Sequence, residues 1–189
     1  VSHDFGKQSS VAAMYTDREF NGNFNRVGGL DAVVHLGKNW NSTYRGYMSS
    51  TSETSGYRFG QHHEGVLFGK GRRFTSSLQY LDLTANFIAE AGFVPRVDQR
   101  ALNYYGHFYW RPAGKFLILH CPEGNATQMW DHHGTTLQQI VSFDYAVELQ
   151  GNIVIAPIIA YESDTLRPVD FPAHTNLNGT VTYPGLPNN

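Results

Sequence analysis

The chain has 189 residues, with sixteen acidic side chains against fourteen basic ones and a formal net charge of −2. That is enough for one domain, without the basic excess of a nucleic-acid surface. Charged residues make up 16% and aromatics 14% of the chain, a composition that excludes a disordered or coiled-coil protein. The single cysteine, Cys121, rules out an internal disulfide and a Cys-based zinc site.

Taken in chain order, the pattern is a period of two repeated many times. Val1 to Phe5 reads as the tail of a strand running into the turn-like Gly6-Lys7-Gln8-Ser9. Ser9 to Thr16 follows as a weaker strand, then a polar connection from Thr16 to Arg26. Gly28, Leu30, Ala32, Val34 and Leu36 alternate with polar or small residues, and Trp40, Tyr44, Gly46 and Met48 alternate after Gly37-Lys38-Asn39. Two alternating runs about a Gly/Asn turn predict a hairpin. Tyr57 to Phe68 and Phe74 to Leu83 read as strands, and Ala85 to Ala91 alone carries a short helical period within a connection running to Val97. Leu102 to Trp110 alternates cleanly and closes at Pro112-Ala-Gly-Lys, with Phe116 to His120 as its partner. Cys121 to Thr135 reads as a long polar connection, Leu137 to Leu149 as the cleanest alternation, and Ile153 to Glu162 as its return after Gln150-Gly-Asn. The stretch Pro168 to Asn189 holds four prolines and reads as an extended tail. The whole, residues 1–189, reads as one all-β domain, an antiparallel up-and-down meander of roughly nine strands.

Strand length separates two all-β architectures. Soluble strands run about 5–6 residues, whereas a membrane strand takes about 9–11 tilted residues, and several runs here are that long. Tight turns at one set of strand ends and long polar connections at the other match the asymmetry of outer-membrane barrels. Trp40, Tyr57, Tyr109 and Trp110 near strand ends suit interfacial girdles. The expected fold is therefore a partial transmembrane β-barrel; a soluble β-sandwich is the alternative. The longest apolar run, Ile153 to Tyr161, is interrupted by Pro157 and is far short of the roughly 20 residues of a membrane helix. The chain opens on Val1 with no leader pattern behind it, and with its short first strand it reads as an incomplete portion of a barrel.

Chemistry is sparse. His62-His63 and His132-His133 are adjacent pairs, and neighbours on a strand face opposite ways, so neither pair chelates a metal; no zinc signature is present. There is no G-x-S-x-G and no P-loop, since Gly69-Lys-Gly-Arg-Arg73 lacks the Lys-Ser/Thr ending. No catalytic residue, metal or cofactor is assigned. Asp17, Arg18 and Glu19, with Arg26 and Asp31 nearby, make one expected charge network, and Arg96, Asp98 and Arg100, at alternate positions on one strand face, another. On the polar face, Arg45 and Tyr47, then Tyr105, His107, Tyr109 and Arg111, combine aromatic planes with hydrogen-bonding heads, a set suited to sugars or other polar solutes in a lumen.

Three strings, Ser9 to Phe20 (with Tyr15-Thr-Asp-Arg-Glu19), Asn25 to Asp31, and Ala89 to Asp98 (with Gly92-Phe-Val-Pro-Arg96), resemble a bacterial family. In that family a signal peptide and a carbohydrate-binding-module-family-9-like sandwich precede a C-terminal domain of unknown function, expected to be an outer-membrane β-barrel. The resemblance runs with gaps from about Val1 to Pro172 and implies a late portion of the barrel domain. It implies bacterial outer-membrane lipid and the remainder of the barrel as partners, without nucleic acid. The sugar-binding module lies outside this chain, so no role is carried over from it. The expected function is uptake or surface binding of saccharides or other polar solutes; the alternatives are an outer-membrane glycan hydrolase and a structural or assembly barrel.

Overall fold

The computed structural model describes residues 1–92, 94, 96–170, 174–175 and 181–183. Its strands are β1 (Ser2–Phe5), β2 (Ser9–Phe20), β3 (Asn23–His35), β4 (Trp40–Glu53), β5 (Gly56–Lys70), β6 (Phe74–Leu83), β7 (Gln99–Phe108), β8 (Leu117–Trp130), β9 (Thr136–Leu149), β10 (Ile153–Ile155), β11 (Ile158–Asp164), β12 (His174–Thr175) and β13 (Val181–Tyr183). The first eleven form one antiparallel sheet in sequence order, with β10 and β11 both paired to β9, and the sheet is open. Two strands more than the sequence pattern predicts have simple origins. The Val1–Phe5 tail pairs with β2 as a strand of its own. The last strand is interrupted at Pro157, which has no N–H to give the ladder and sits on the sheet edge, where that loss is tolerated.

Two expected connections are strand. The span 16–26 is the continuation of β2 and β3 around a two-residue Asn21-Gly22 turn, both residues at positive φ (50° and 77°), which is type I′ geometry. The span 121–135 is mostly β8; its turn is held by Asp131, whose Oδ1 accepts from the backbone N–H of His133 (2.9 Å) and Thr135 (2.8 Å). Only the connection from β6 to β7 is long. Among its described residues there is no helix: Phe87 and Gly92 close isolated turns on Thr84 and Ala89. Side chains of the sheet take up the Ile88 N–H and carbonyl and the Glu90 N–H, groups a local helix would otherwise have to pair.

That connection lies on one face of the sheet, called inner here. Val27, Leu83 and Phe87 form a small buried cluster there, with Tyr47, Ala89, Val94 and Val97 packed against it. Asn25, Ser49 and Thr51 are buried beneath the same segment. The tail expected from Pro168 begins as a 3₁₀ turn, Pro168–Asp170. Beyond it β12 and β13 form a two-stranded ladder, and the rest of that stretch lies outside the described residues.

Candidate functional site

Register fixes which residues share a face. One outward row is Trp40, Gly69, Ser76, Gly106, Gly124, Phe143 and Ile159; the next is Val34, Ser42, Leu67, Leu78, Tyr104, Ala126, Val141 and Tyr161. A third runs Ala32, Tyr44, Gly65, Tyr80, Leu102, Gln128 and Gln139. Toward the short turns come the pairs Phe74–Phe108 and Pro122–Tyr145, then Trp110, His120, Val147 and Ile155. None of these five rows contains Asp, Glu, Lys or Arg. Most of their large apolar members, including Leu78, Leu102, Phe108, Val141 and Phe143, are exposed, and Val34, Phe74, Tyr145 and Val147 are half-buried. Two glycines in this face are roofed by aromatic rings: a Cβ on Gly106 would meet the Tyr104 hydroxyl at 2.5 Å, and one on Gly69 the Trp40 ring at 2.6 Å. Rings so placed recover the packing a strand glycine forfeits.

The inner face carries the polar chemistry. Tyr47 donates its hydroxyl to Asp31 (2.6 Å), and Arg45 donates to Glu64 (2.9 Å) while its Nε lies 3.8 Å from Asp31. Gln79 donates to the other oxygen of Glu64 (2.5 Å), and Asn103 donates to Gln79 (3.0 Å). A chain of hydrogen bonds, with one ion-pair step between Asp31 and Arg45, thus crosses β3, β4, β5, β6 and β7. The second inner group lies toward the short turns. The Tyr105 hydroxyl sits 2.8 Å from His107 Nδ1, the Tyr109 ring packs edge-on to His107 with centroids 4.5 Å apart, and the Arg111 guanidinium lies 5.7 Å from the Tyr109 ring centre. His107 Nε2 is buried without a partner among the described residues, and Glu123 lies 3.8 Å from its Nδ1. The six expected lumen residues therefore share the inner side but form two groups. Tyr109, also expected in a girdle, faces inward, whereas Trp40 and Trp110 face outward.

Each expected charge network forms in part. Asp17, Arg26 and Glu19 join without Arg18 or Asp31. Arg96, Asp98 and Arg100 are linked through Arg167, Asp170, His132 and Asp82, but not along one strand face. Asp17 faces outward and pairs with Arg26 (3.1 Å), which also bonds Glu19. Arg18 faces the other way, onto Glu90 of the long connection, and Asp31 belongs to the Tyr47–Arg45 chain. Alternation within one strand separates Asp17 from Arg18. Arg96 and Asp98 precede β7, and Asp98 has φ of 56°, so the alternation supposed to align them with Arg100 is broken. Arg100 faces outward onto Asp82 (3.0 Å).

Arg96 and Asp98 instead build a clamp outside the strands. Arg167 donates to Asp98 (2.9 Å), to Asp170 (2.8 Å) and to the Val97 carbonyl (3.1 Å), and Arg96 donates to Asp170 (2.5 Å). His132 lies between Asp98 and Asp82, 2.9 Å from each. Burial alone would raise the Asp170 carboxyl, but the hydrogen bonds and charges of Arg167 and Arg96 outweigh it and hold its pKa at about 2. Asp131 behaves alike: burial opposes ionisation, and the donors on Thr135 and His133 with the nearby Arg167 charge lower its pKa.

His62 and His63 face opposite ways, His62 against Tyr47 and Phe87 on the inner side and His63 onto the Tyr44 hydroxyl at 2.8 Å. Among the described residues no group of three His, Cys, Asp or Glu side chains is placed to hold a metal ion. The sequence pattern puts Asn103 on the polar face but does not join it, Glu64 and Gln79 to Arg45; a register drawn from the Thr54-Ser55 turn places Glu64 opposite Arg45 and would have found the first link. No family model, curated protein or solved structure matches the chain.

Proposed function

We propose that this sheet is wall from a transmembrane β-barrel of the bacterial outer membrane, and that its inner face conducts or binds polar solutes such as saccharides. The observation that carries the reading is the opposition of the two faces. Five outward rows without a charge span roughly 27 Å along the strands, close to the ~25 Å apolar band of such barrels, while ion pairs and amides line the inner side. An exposed apolar face of this extent needs a non-aqueous neighbour or a partner. The free edges at β1 and at β10 and β11 would pair with the remaining strands of the barrel. The resemblance to the bacterial family of unknown function points the same way.

The inner chain from Asp31 to Asn103 supplies donors and acceptors in alternation, and the Tyr105–His107–Tyr109 rings supply apolar planes, the combination by which sugars are held. The test is reconstitution of the full-length protein into liposomes and measurement of swelling in mono- to tetrasaccharides. Size-limited permeation that changes in Arg45→Ala supports the reading. The long connection lying on the inner face favours a second reading, a filled barrel with a structural role, and wild-type liposomes impermeable to every solute would select it.

A further inference from the structure

The fourteen cations fall into two populations by position. Seven arginines, from Arg18 to Arg167, pair with carboxylates. The other seven are exposed and make no ion pair among the described residues, and all seven sit at one end of the sheet. Lys7 lies between β1 and β2 and Lys38 between β3 and β4; Lys70, Arg72 and Arg73 turn β5 into β6; Arg111 and Lys115 lie between β7 and β8. In an up-and-down meander these alternate connections share an end. They contain no Asp or Glu, nor does the Gln150-Gly-Asn turn beside them. The nearest carboxylates in sequence, Asp4 and Glu148, make no ion pair either. All four lysines of the chain are in this set.

Unpaired like charges at one rim repel each other and are stabilised only by anions from outside. What surrounds them identifies the anion. Each cationic connection has an exposed or half-exposed aromatic residue within two positions of a cation: Phe5 before Lys7, Trp40 after Lys38, Phe74 after Arg73, Trp110 before Arg111 and Phe116 after Lys115. Trp40, Phe74 and Trp110 belong to the uncharged outward rows. An apolar band, then aromatic rings, then cations on flexible stems is the order of solvents met on leaving a bilayer: acyl chains, interface, headgroups. A soluble polyanion accounts for the cations but leaves the adjoining aromatic and apolar rows unexplained.

We propose that this rim is a collar for the phosphate headgroups of anionic lipids, an inference that rests on the membrane reading above. The test uses the full-length protein with every tryptophan except Trp40 and Trp110 replaced by phenylalanine, Trp130 of the opposite end included, so that these two serve as the reporters. It is inserted into phosphatidylcholine vesicles containing brominated phosphatidylglycerol, or brominated phosphatidylcholine in the same proportion. At low salt the anionic lipid is expected to show about a fivefold higher apparent association with the reporters. The preference should shrink as salt rises and vanish when Lys38→Glu, Arg72→Glu, Arg73→Glu and Lys115→Glu are combined. Quenching of that variant in fully brominated phosphatidylcholine shows that it still inserts. Equal quenching by the two lipids, or a preference that survives charge reversal, overturns the collar alone. So does tight binding of dextran sulfate without lipid preference, which would assign the rim to a soluble partner. Absence of quenching by either lipid overturns the membrane reading, and the collar with it.

Discussion

The backbone of Phe87 lies against the α-carbon of Gly60, so close that a Cβ on Gly60 would run into the Phe87 nitrogen and α-carbon, with the carbonyl carbon of Asn86 next at 2.5 Å. Gly60 is thus where the long connection seats on the inner face. Gly60→Ala should destabilise the protein by about 1–3 kcal/mol, because backbone cannot yield as a flexible side chain does. Gly65→Ala, in the same strand with open space beyond its α-carbon, should stay within about 0.5 kcal/mol. Denaturant unfolding measures both. Faster hydrogen exchange at Ile88 and Glu90 in the first variant alone would place the damage in the connection.

The same seat is fastened by Asn25, which is only 2% exposed. Its amide donates to Thr51 Oγ1 (2.8 Å) and to the Ile88 carbonyl (2.9 Å), and its oxygen accepts from the Glu90 N–H (3.0 Å). Asn25→Asp keeps the shape and the acceptor but removes both donors, setting a carboxylate against the Ile88 carbonyl. A loss of about 2–4 kcal/mol is expected, from an unmade bond plus an uncompensated buried charge. Asn25→Ala should cost less, about 1–3 kcal/mol. Comparison of the two variants by chemical unfolding at neutral pH checks the order; an aspartate milder than the alanine would mean that the donors do not hold the segment.

Acid should open the clamp around Asp170. Its pKa falls from 3.8 to about 2 on folding, so its stabilising contribution is complete above about pH 4 and is lost as pH falls through about 2. The shift corresponds to about 2 kcal/mol. The lowered pKa of Asp131 acts in the same direction. Asp170→Asn should therefore reduce stability at pH 5 and flatten the profile between pH 5 and 2. Thermal midpoints of both proteins across that range measure the difference, and parallel profiles would show that Asp170 does not titrate in the clamp.

Alternation carried the fold into the sequence where one face is uniform. Leu102 to Phe108 and Leu137 to Leu149 are legible because apolar residues return at every second position, and both became strands of the meander. Alternation vanished at the other ends of β2, β3 and β8, where both faces are polar. Asp17, Glu19 and Arg26 face out while Arg18 and Asn25 face in, so strand read as loop, although Asn21-Gly22 carried the hairpin signal. At the site, parity within a strand was enough to group Arg45 with Tyr47 and Tyr105 with His107. Cross-strand register was not available to it, so Glu64, Gln79 and Asn103 were not joined to Arg45. The shared face expected of Arg96, Asp98 and Arg100 failed because parity was applied across a break in the backbone, at Asp98.

The cleanest contrast between the faces lies at two neighbours in β9. Phe143 is 53% exposed in an outward row beside Gly124 and Ile159, while Ser142 faces inward beside Asn125 and Ala160. If lipid is the solvent on the outward face and Phe143 sits near its midplane, Phe143→Arg should destabilise the full-length protein in vesicles by about 2–4 kcal/mol. Ser142→Arg should cost much less, since the guanidinium enters a polar row close to Asp144 and Glu123. Unfolding free energies of the two variants and wild type, measured after refolding into vesicles, give the comparison. Equal losses would mean that water or protein, not lipid, bathes Phe143. A larger loss at Ser142 would invert the faces of this strand, and with them the assignment of the Arg45 and His107 groups to the inside.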